Sequence, residues 1–268
     1  MKKGLKILII ALLIVAGLSF CVRAAKQITN DSGVLSIRLP GISESFSTPA
    51  GLNTVTHNLG QMEFRAIEVS NATVVTVRDR GDENRDVILQ VEERLAEYVN
   101  LKVVKGVLHI SLKNKSGRDR NLHVGSRLHV SVPHCEGLNS LSASAASRIE
   151  TTSAVQADKV TIEANGASKV ITEVDCRMCS AEASGASRIV LSGQCEKLEA
   201  EASGASSVDA EECESEVCDA EASGASKVTV WCSDLLTAEA SGASKVCYKG
   251  DCARKTHTSG ASSIRKIK

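Results

Sequence analysis

AEASGASKVTV, residues 220–230, is one of seven related stretches in the second half of this chain. The motif recurs as SAAS ending at Ser147, NGAS at Ser168, and SGAS at Ser187, Ser206, Ser226, Ser244 and Ser262, at intervals of 21, 19, 19, 20, 18 and 18 residues. A period of that size marks a solenoid, in which each unit buries its apolar face only against its neighbours. Apolar residues recur at every second position on both sides of the glycine, as in Ala181 and Ala183 before Gly185 and Ile189 and Leu191 after it. Period two means strand. The glycines Gly166, Gly185, Gly204, Gly224, Gly242 and Gly260 sit where the alternation breaks, at a bend that side chains resist. A second bend falls in polar stretches such as Ser192-Gly193-Gln194 and Ser233-Asp234. The expected fold is therefore all-β: a single-stranded parallel β-helix (β-solenoid) with coils of about 19 residues, right-handed. One helix per repeat fits the length, but each mid-unit glycine costs about 1 kcal/mol relative to alanine, and the apolar spacing is not three and four.

Upstream, Lys2, Lys3 and Lys6 precede an uncharged apolar run from Ile7 to Phe20, the layout of a secretory signal. The run is shorter than the roughly twenty residues of a spanning helix, and cleavage after Ala24 is expected. Lipidation at Cys21 is the minor alternative, because Phe20 stands where a small residue is needed. The expected organisation is a signal peptide over 1–24, a lead-in strand and linker over 25–60, a β region of irregular coils or a cap over 61–134, and the Gly-Ala-Ser solenoid over 135–268. Strands are expected at Val34–Ile37, Ile67–Val69, Val74–Val77, Val87–Leu89, Leu101–Val104, Val107–Ile110 and Leu128–Val132, with a hairpin tip at Lys105-Gly106 and loops at Gly81–Asn84 and Ser116–Asp119.

The chain carries 32 basic and 32 acidic residues, and removing the signal takes four basic ones (Lys2, Lys3, Lys6, Arg23), leaving a mature balance of about −4. No basic patch points to nucleic acid. Aromatic residues are 2% of the chain, so small aliphatic side chains must fill the interior.

Stacking turns equivalent positions into columns. One holds Glu163, Glu182, Glu201, Glu221 and Glu239, with Ser142 before them and His257 after. A second, past the corner, holds Arg148, Lys169, Arg188, Lys227 and Lys245, with Ser207 and Ser263 in the gaps. The candidate interaction face is Glu163, Glu182, Glu201, Glu221 and Glu239 with Lys169, Arg188, Lys227 and Lys245. Stacked carboxylates invite a cation, yet the nonapeptides of calcium-binding β-rolls are missing and exposed charges are screened, so no metal or other cofactor is expected. A third column, Ser144, Asn165, Ser184, Ser203, Ser223, Ser241 and Ser259, is placed to bond backbone groups at the bend. His257 and Ser259 form the one conceivable nucleophilic dyad.

Of ten cysteines, Cys135, Cys176, Cys195, Cys213, Cys232 and Cys252 read as a column of small apolar side chains, in which stacked neighbours make poor disulfide partners. Cys176 with Cys179, Cys213 with Cys218 and Cys247 with Cys252 flank short turns and are the candidate local bridges. A single CxxC is weak evidence for zinc or for thioredoxin-like chemistry.

The SGAS series, the segment LKVVKGVLHISL (Leu101–Leu112) and the exit HVSVP (His129–Pro133) resemble the bacterial domain called the putative auto-transporter adhesin head GIN domain, over residues 60–268. The resemblance implies a β-helix with an adhesive role and no catalytic residue; the cysteine content departs from it. The expected function is a non-enzymatic exported module for cell-surface adhesion or envelope interaction, placed in the periplasm, on the outer membrane surface or outside the cell. Its partner is a surface ligand, protein or glycan, and it meets a membrane only through its export signal or a lipid anchor. The alternatives are a β-helix enzyme acting on polysaccharide, which needs one coil that breaks the pattern, and a hexapeptide-type acyltransferase, which export disfavours. Glycan stacking has only Trp231, Tyr98 and Tyr248 to draw on.

Overall fold

Eighteen strands form among the described residues of the computed structural model, which are 42–47, 52–57, 63–92, 96, 98–112 and 128–268. The expected signal segment, the Val34–Ile37 strand and the Ser116–Asp119 loop lie outside the described residues. The strands are β1 (Ile42–Ser47), β2 (Leu52–His57), β3 (Ala66–Val69), β4 (Thr73–Val77), β5 (Val87–Glu92), β6 (Val99–Val104), β7 (Val107–Leu112), β8 (Leu128–Val132), β9 (Ser140–Ala143), β10 (Arg148–Thr151), β11 (Val155–Ala164), β12 (Lys169–Ala183), β13 (Arg188–Ala202), β14 (Ser207–Ala222), β15 (Lys227–Ala240), β16 (Lys245–Lys249), β17 (Ala253–Thr258) and β18 (Ser263–Lys266). No α-helix occurs among the described residues.

From β9 onward the pairing is parallel and one coil apart. Ala143, Ala164, Ala183, Ala202, Ala222 and Ala240 form one buried column before the corner. Ile149, Val170, Ile189, Val208, Val228 and Val246 form the opposing column after it, all fully buried. Facing alanines against Val and Ile explains how a chain so poor in aromatics closes its interior: the coil is thin, and small branched side chains span it. The glycine of each corner contributes twice. At Gly204, φ is +76°, where a side chain is strained, and a Cβ built there would stand 2.9 Å from the carbonyl oxygen of Gly185 in the coil beneath. That same carbonyl accepts the Ala205 N–H at 2.7 Å, so the corners are hydrogen-bonded to one another as the strands are.

The serine that closes six of the seven motifs is buried, Ser262 of the last coil being half-buried, and it fastens the bend. Ser187 Oγ lies 2.7 Å from Ala164 O, one coil below, and 2.8 Å from Ser184 O in its own turn. Ser206 repeats this at 2.8 Å to Ala183 O and 2.8 Å to Ser203 O. Of the column expected to serve the backbone, Ser144 does so, its Oγ donating to Val69 O at 3.4 Å, whereas Ser184 lies outward and its Oγ meets Asn165 Oδ1 at 2.6 Å. The bend turns the later serine inward, where its hydroxyl reaches a carbonyl of its own turn and a carbonyl one coil below that also accepts a backbone N–H.

The stacking at the amino-terminal end departs from chain order. β3 and β4 lie between later segments: on one side they pair with β9 and β10, on the other with β7 and β8, all in parallel. The register aligns Ser70-Asn71-Ala72-Thr73 with Ser144-Ala145-Ala146-Ser147, so SNAT is a further, diverged copy of the corner motif. Asn71, Ala72, Ala145 and Ala146 all have positive φ. Thr73 is fully buried and its Oγ1 donates to Ser70 O at 3.0 Å, as the motif serines do. Beyond this coil the pairing turns antiparallel, β6 with β7 through the Lys105-Gly106 tip and β5 with β8 and β2. Larger side chains, including Phe64, Leu89, Leu108, Ile110, Leu112 and Leu128, pack this end.

Gly204→Ala is expected to lower the urea-unfolding stability of the protein by about 2 kcal/mol or more, from the left-handed backbone and the carbonyl beneath. Gly166→Ala, with φ +76° but nearest neighbour Ala145 N at 3.4 Å, keeps only the backbone cost and loses less. Equal losses would refute the stacked-corner explanation.

Candidate interaction face

The strand leading into each corner exposes every second residue, and the parallel register lines these up without a break. Glu163 stands beside Glu182, then Glu201, Glu221 and Glu239, and the row ends at His257. In the other direction it runs through Ser142, Glu68 and His109 to Lys102. Ten outward positions thus form one line from the amino-terminal end to the last coil, with steps of about 4.8 Å. The Glu68 and His109 members were not legible in the repeat, because β3 enters the stack out of sequence order.

The two ends of the row differ from its middle. His109 Nδ1 lies 2.8 Å from Glu68 Oε2, and Ser142 Oγ donates to Glu163 Oε2 at 3.2 Å. Around the first pair is a groove of about 370 Å³ lined by Glu68, Asn100, Lys102, His109, Ser142 and Ser144. Among the described residues, Glu182, Glu201, Glu221 and Glu239 make no ion pair. The adjacent outward row places Glu199 and Asp219 side by side, and Lys197 Nζ bridges them at 2.6 and 3.0 Å. Loss of hydration, followed by the neighbouring charges of Glu221, Glu182 and Glu199, holds the Glu201 carboxyl above its ordinary value.

Arg148, Lys169, Arg188, Lys227 and Lys245 also line up in register, with Ser207 and Ser263 in the gaps. They begin the strand on the far side of the corner, so acidic and basic rows occupy different faces, and no ion pair joins them among the described residues. Arg148 instead meets Glu150 on its own strand at 2.8 Å. His257 and Ser259 are both exposed in the last coil, and no hydrogen bond joins their side chains. Trp231 is covered by Lys249, whose Nζ is 4.1 Å from the ring centroid, and Tyr248 is buried with its hydroxyl accepting from Arg254. The Tyr248 ring is therefore closed to a sugar, and the Trp231 ring already carries a lysine on one face.

The cysteine column needs a correction. Cys176 and Cys195 are in register, but the next position is Ser215, followed by Cys232; Cys213 lies opposite Gly193. Two things combine: Cys213 follows its corner glycine by nine residues where Cys195 follows by ten, and β14 carries an additional residue, absorbed where the register shifts between Val190 and Ser192. Cys213 consequently meets Cys195, and Cys218 meets Cys232 and Ser215, the last at 2.9 Å, in place of the expected Cys213–Cys218 contact. Cys176 does touch Cys179. No cluster of three or more His, Cys, Asp or Glu side chains suited to a metal occurs among the described residues.

The family described as "Putative auto-transporter adhesin, head GIN domain" matches residues 63–252. Comparison with curated proteins gives no match. Among solved structures, a putative adhesin from Bacteroides fragilis NCTC 9343 is similar with TM-score 0.70 at 18% identity, over 81% of this chain and 97% of the other. A putative adhesin from Parabacteroides merdae ATCC 43184 gives TM-score 0.65 at 19% identity, over 82% and 98%. A putative lipid binding protein from Parabacteroides distasonis ATCC 8503 gives 0.60 at 16%, over 80% and 97%. At these identities the likeness is one of fold.

A carboxyl whose value is raised on folding favours the folded state at low pH and loses that contribution as pH rises through the folded value. Glu201→Gln is therefore expected to raise the Tm at pH 7 and to leave it unchanged near pH 3, where both states are protonated. An unchanged Tm at pH 7 would contradict mutual repulsion along the row.

Proposed function

Because this chain belongs to the putative auto-transporter adhesin head GIN domain family, we propose that it is an exported, non-enzymatic binding module that adheres through its glutamate face to a surface ligand, protein or glycan. The observation that carries this reading is the in-register row Glu163–Glu182–Glu201–Glu221–Glu239, whose last four carboxylates make no ion pair among the described residues. A single exposed carboxylate contributes little to binding, on the order of 1 kcal/mol or less. Several held in line on a stiff sheet have already lost the freedom that association would otherwise take from them. Such a row favours a partner with cationic or hydrogen-bond-donating groups repeated along its length. The Lys169, Arg188, Lys227 and Lys245 row across the corner gives the same coil an oppositely charged face, so one molecule can discriminate between partners by charge.

Repetition also bears on chemistry. Glycoside hydrolysis sets two carboxyls in different environments so that one holds a proton and the other does not, whereas stacked copies give successive glutamates much the same surroundings. That supports binding over turnover.

The test uses the mature protein with surface-protease accessibility on intact cells, and binding of the purified chain to immobilised matrix proteins, glycan arrays and cells. Surface exposure and saturable binding are expected, with a loss of at least tenfold in affinity for the combined Glu182→Gln, Glu201→Gln, Glu221→Gln variant at low salt. Unchanged binding by that variant would remove the glutamate face from the reading. Hydrolysis of a polysaccharide or acyl transfer by the wild-type protein would overturn the non-enzymatic assignment.

A further inference from the structure

At the second bend of the coil, opposite the Gly-Ala-Ser corner, cysteines gather in contact across successive strands. Cys176 touches Cys179 on its own strand and Cys195 on the next, and Cys195 in turn touches Cys213. Burial separates their roles. Cys179 is fully buried and Cys195 is 6% exposed, while Cys176 is partly open to solvent. Cys176 and Cys195 line a groove of about 550 Å³ on the protein surface.

We propose that Cys176 is a reactive thiol that exchanges with small cationic disulfides in this groove, with Cys179 as the thiol that resolves the adduct. The proposal rests on the thiol contacts and the groove, and is independent of the adhesive reading. Reactivity at one of several cysteines needs an accessible sulfur that is readily ionised and a second thiol within reach. Cys176 meets each requirement. Hydrogen bonds from Cys179 and then Cys195 hold its thiol well below the ordinary range, down to about 4, against burial and the charges of Asp175 and Asp158. Donation to Cys176, together with burial, pushes the Cys179 thiol up, so the two differ in the sense that attack followed by resolution requires.

The choice of disulfide follows from the groove's charge. Asp175, Glu196, Glu214 and Glu216 line it against one cation, Arg177, which is itself paired to Asp158 at 2.8 Å. A disulfide carrying ammonium groups is drawn in, and an anionic one is repelled. In the first step the Cys176 thiolate, its proton released to solvent, attacks one sulfur of the disulfide; that S–S bond breaks and half of the reagent leaves as a thiolate, which takes up a proton from solvent. In the second, Cys179 gives up its proton and attacks Cys176 Sγ. The mixed disulfide breaks, and the remaining half leaves and takes a proton. Two protein thiols are oxidised to one disulfide and one reagent disulfide is reduced to two thiols, so two electrons and both protons are accounted for.

The experiment treats the reduced mature protein with cystamine, a dication, or with oxidised glutathione, an anion, then quenches with acid and maps adducts by mass spectrometry. The first adduct is expected on Cys176, followed by a Cys176–Cys179 disulfide. Cystamine is expected to react at least tenfold faster than oxidised glutathione at low salt, with the ratio falling as salt is added. The rate with cystamine should change less than threefold between pH 6 and 8, where an ordinary thiol gains more than tenfold. Cys179→Ser should trap the adduct on Cys176. Because Cys179 is buried and its replacement can unfold the coil, the wild-type mapping decides by itself. A first adduct on any other cysteine, no adduct until the protein is denatured, a disulfide mapped to Cys176–Cys195, or equal rates with the two reagents would each overturn the proposal.

Discussion

The carbonyl oxygen of one corner glycine, lying where a side chain on the next would have to stand, is the contact on which this molecule depends. It sets the coil spacing at the bend to that of a parallel sheet, and it admits no side chain at Gly185, Gly204, Gly224, Gly242 or Gly260. The buried serine two residues on then ties each corner to the coil below, as Ser226 Oγ does to Ala202 O at 2.9 Å. With corner and strands bonded at the same interval, equivalent side chains have no freedom to drift out of line. The alanine column, the glutamate row and the lysine and arginine row follow from that single constraint.

The fold was legible because its cause is local and repeated. Seven motif copies, the alternation on each side of the glycine and the near-constant interval carried the parallel coils and their inward and outward faces. The amino-terminal end was less legible. IEVSNAT at Ile67–Thr73 lies in register with LSASAAS at Leu141–Ser147, but a glycine-based motif does not reveal it, since Asn71 and Ala72 adopt the left-handed backbone without glycine. Its place in the stack, between β7–β8 and β9–β10, is a long-range pairing that no local pattern encodes. For that reason Glu68 and His109 were missed as members of the outward row. The cysteine register failed for a different reason: Cys213 lies eleven residues before Gly224, where Cys195 lies nine before Gly204, so it falls two places early and opposite Gly193.

The two bends of the coil have different chemistry. The Gly-Ala-Ser corner is uniform, satisfied by backbone and serine hydrogen bonds, and serves to align the faces beside it. The opposite bend varies from coil to coil in length and composition, and there the polarisable side chains collect, with Ser215 taking a cysteine's place between Cys195 and Cys232. Regularity on one edge permits variation on the other, because the register is already set before the chain reaches the second bend. The last coil turns polar as well: Arg254, Thr256 and Thr258 continue columns held below by Leu236, Ala238 and Ala240, and all three are exposed.

In-register stacking is the claim that all of this assumes, and a distance along the outward row tests it most directly. Ser142 and His257 stand six coil steps apart in that row, a separation of about 29 Å at the spacing of parallel strands. Nitroxide labels placed at these two positions in the protein, measured by pulsed electron paramagnetic resonance, should give one distribution centred near that value, allowing for the label arms. A broad distribution, or one centred beyond about 45 Å, would mean that the coils are not stacked in register.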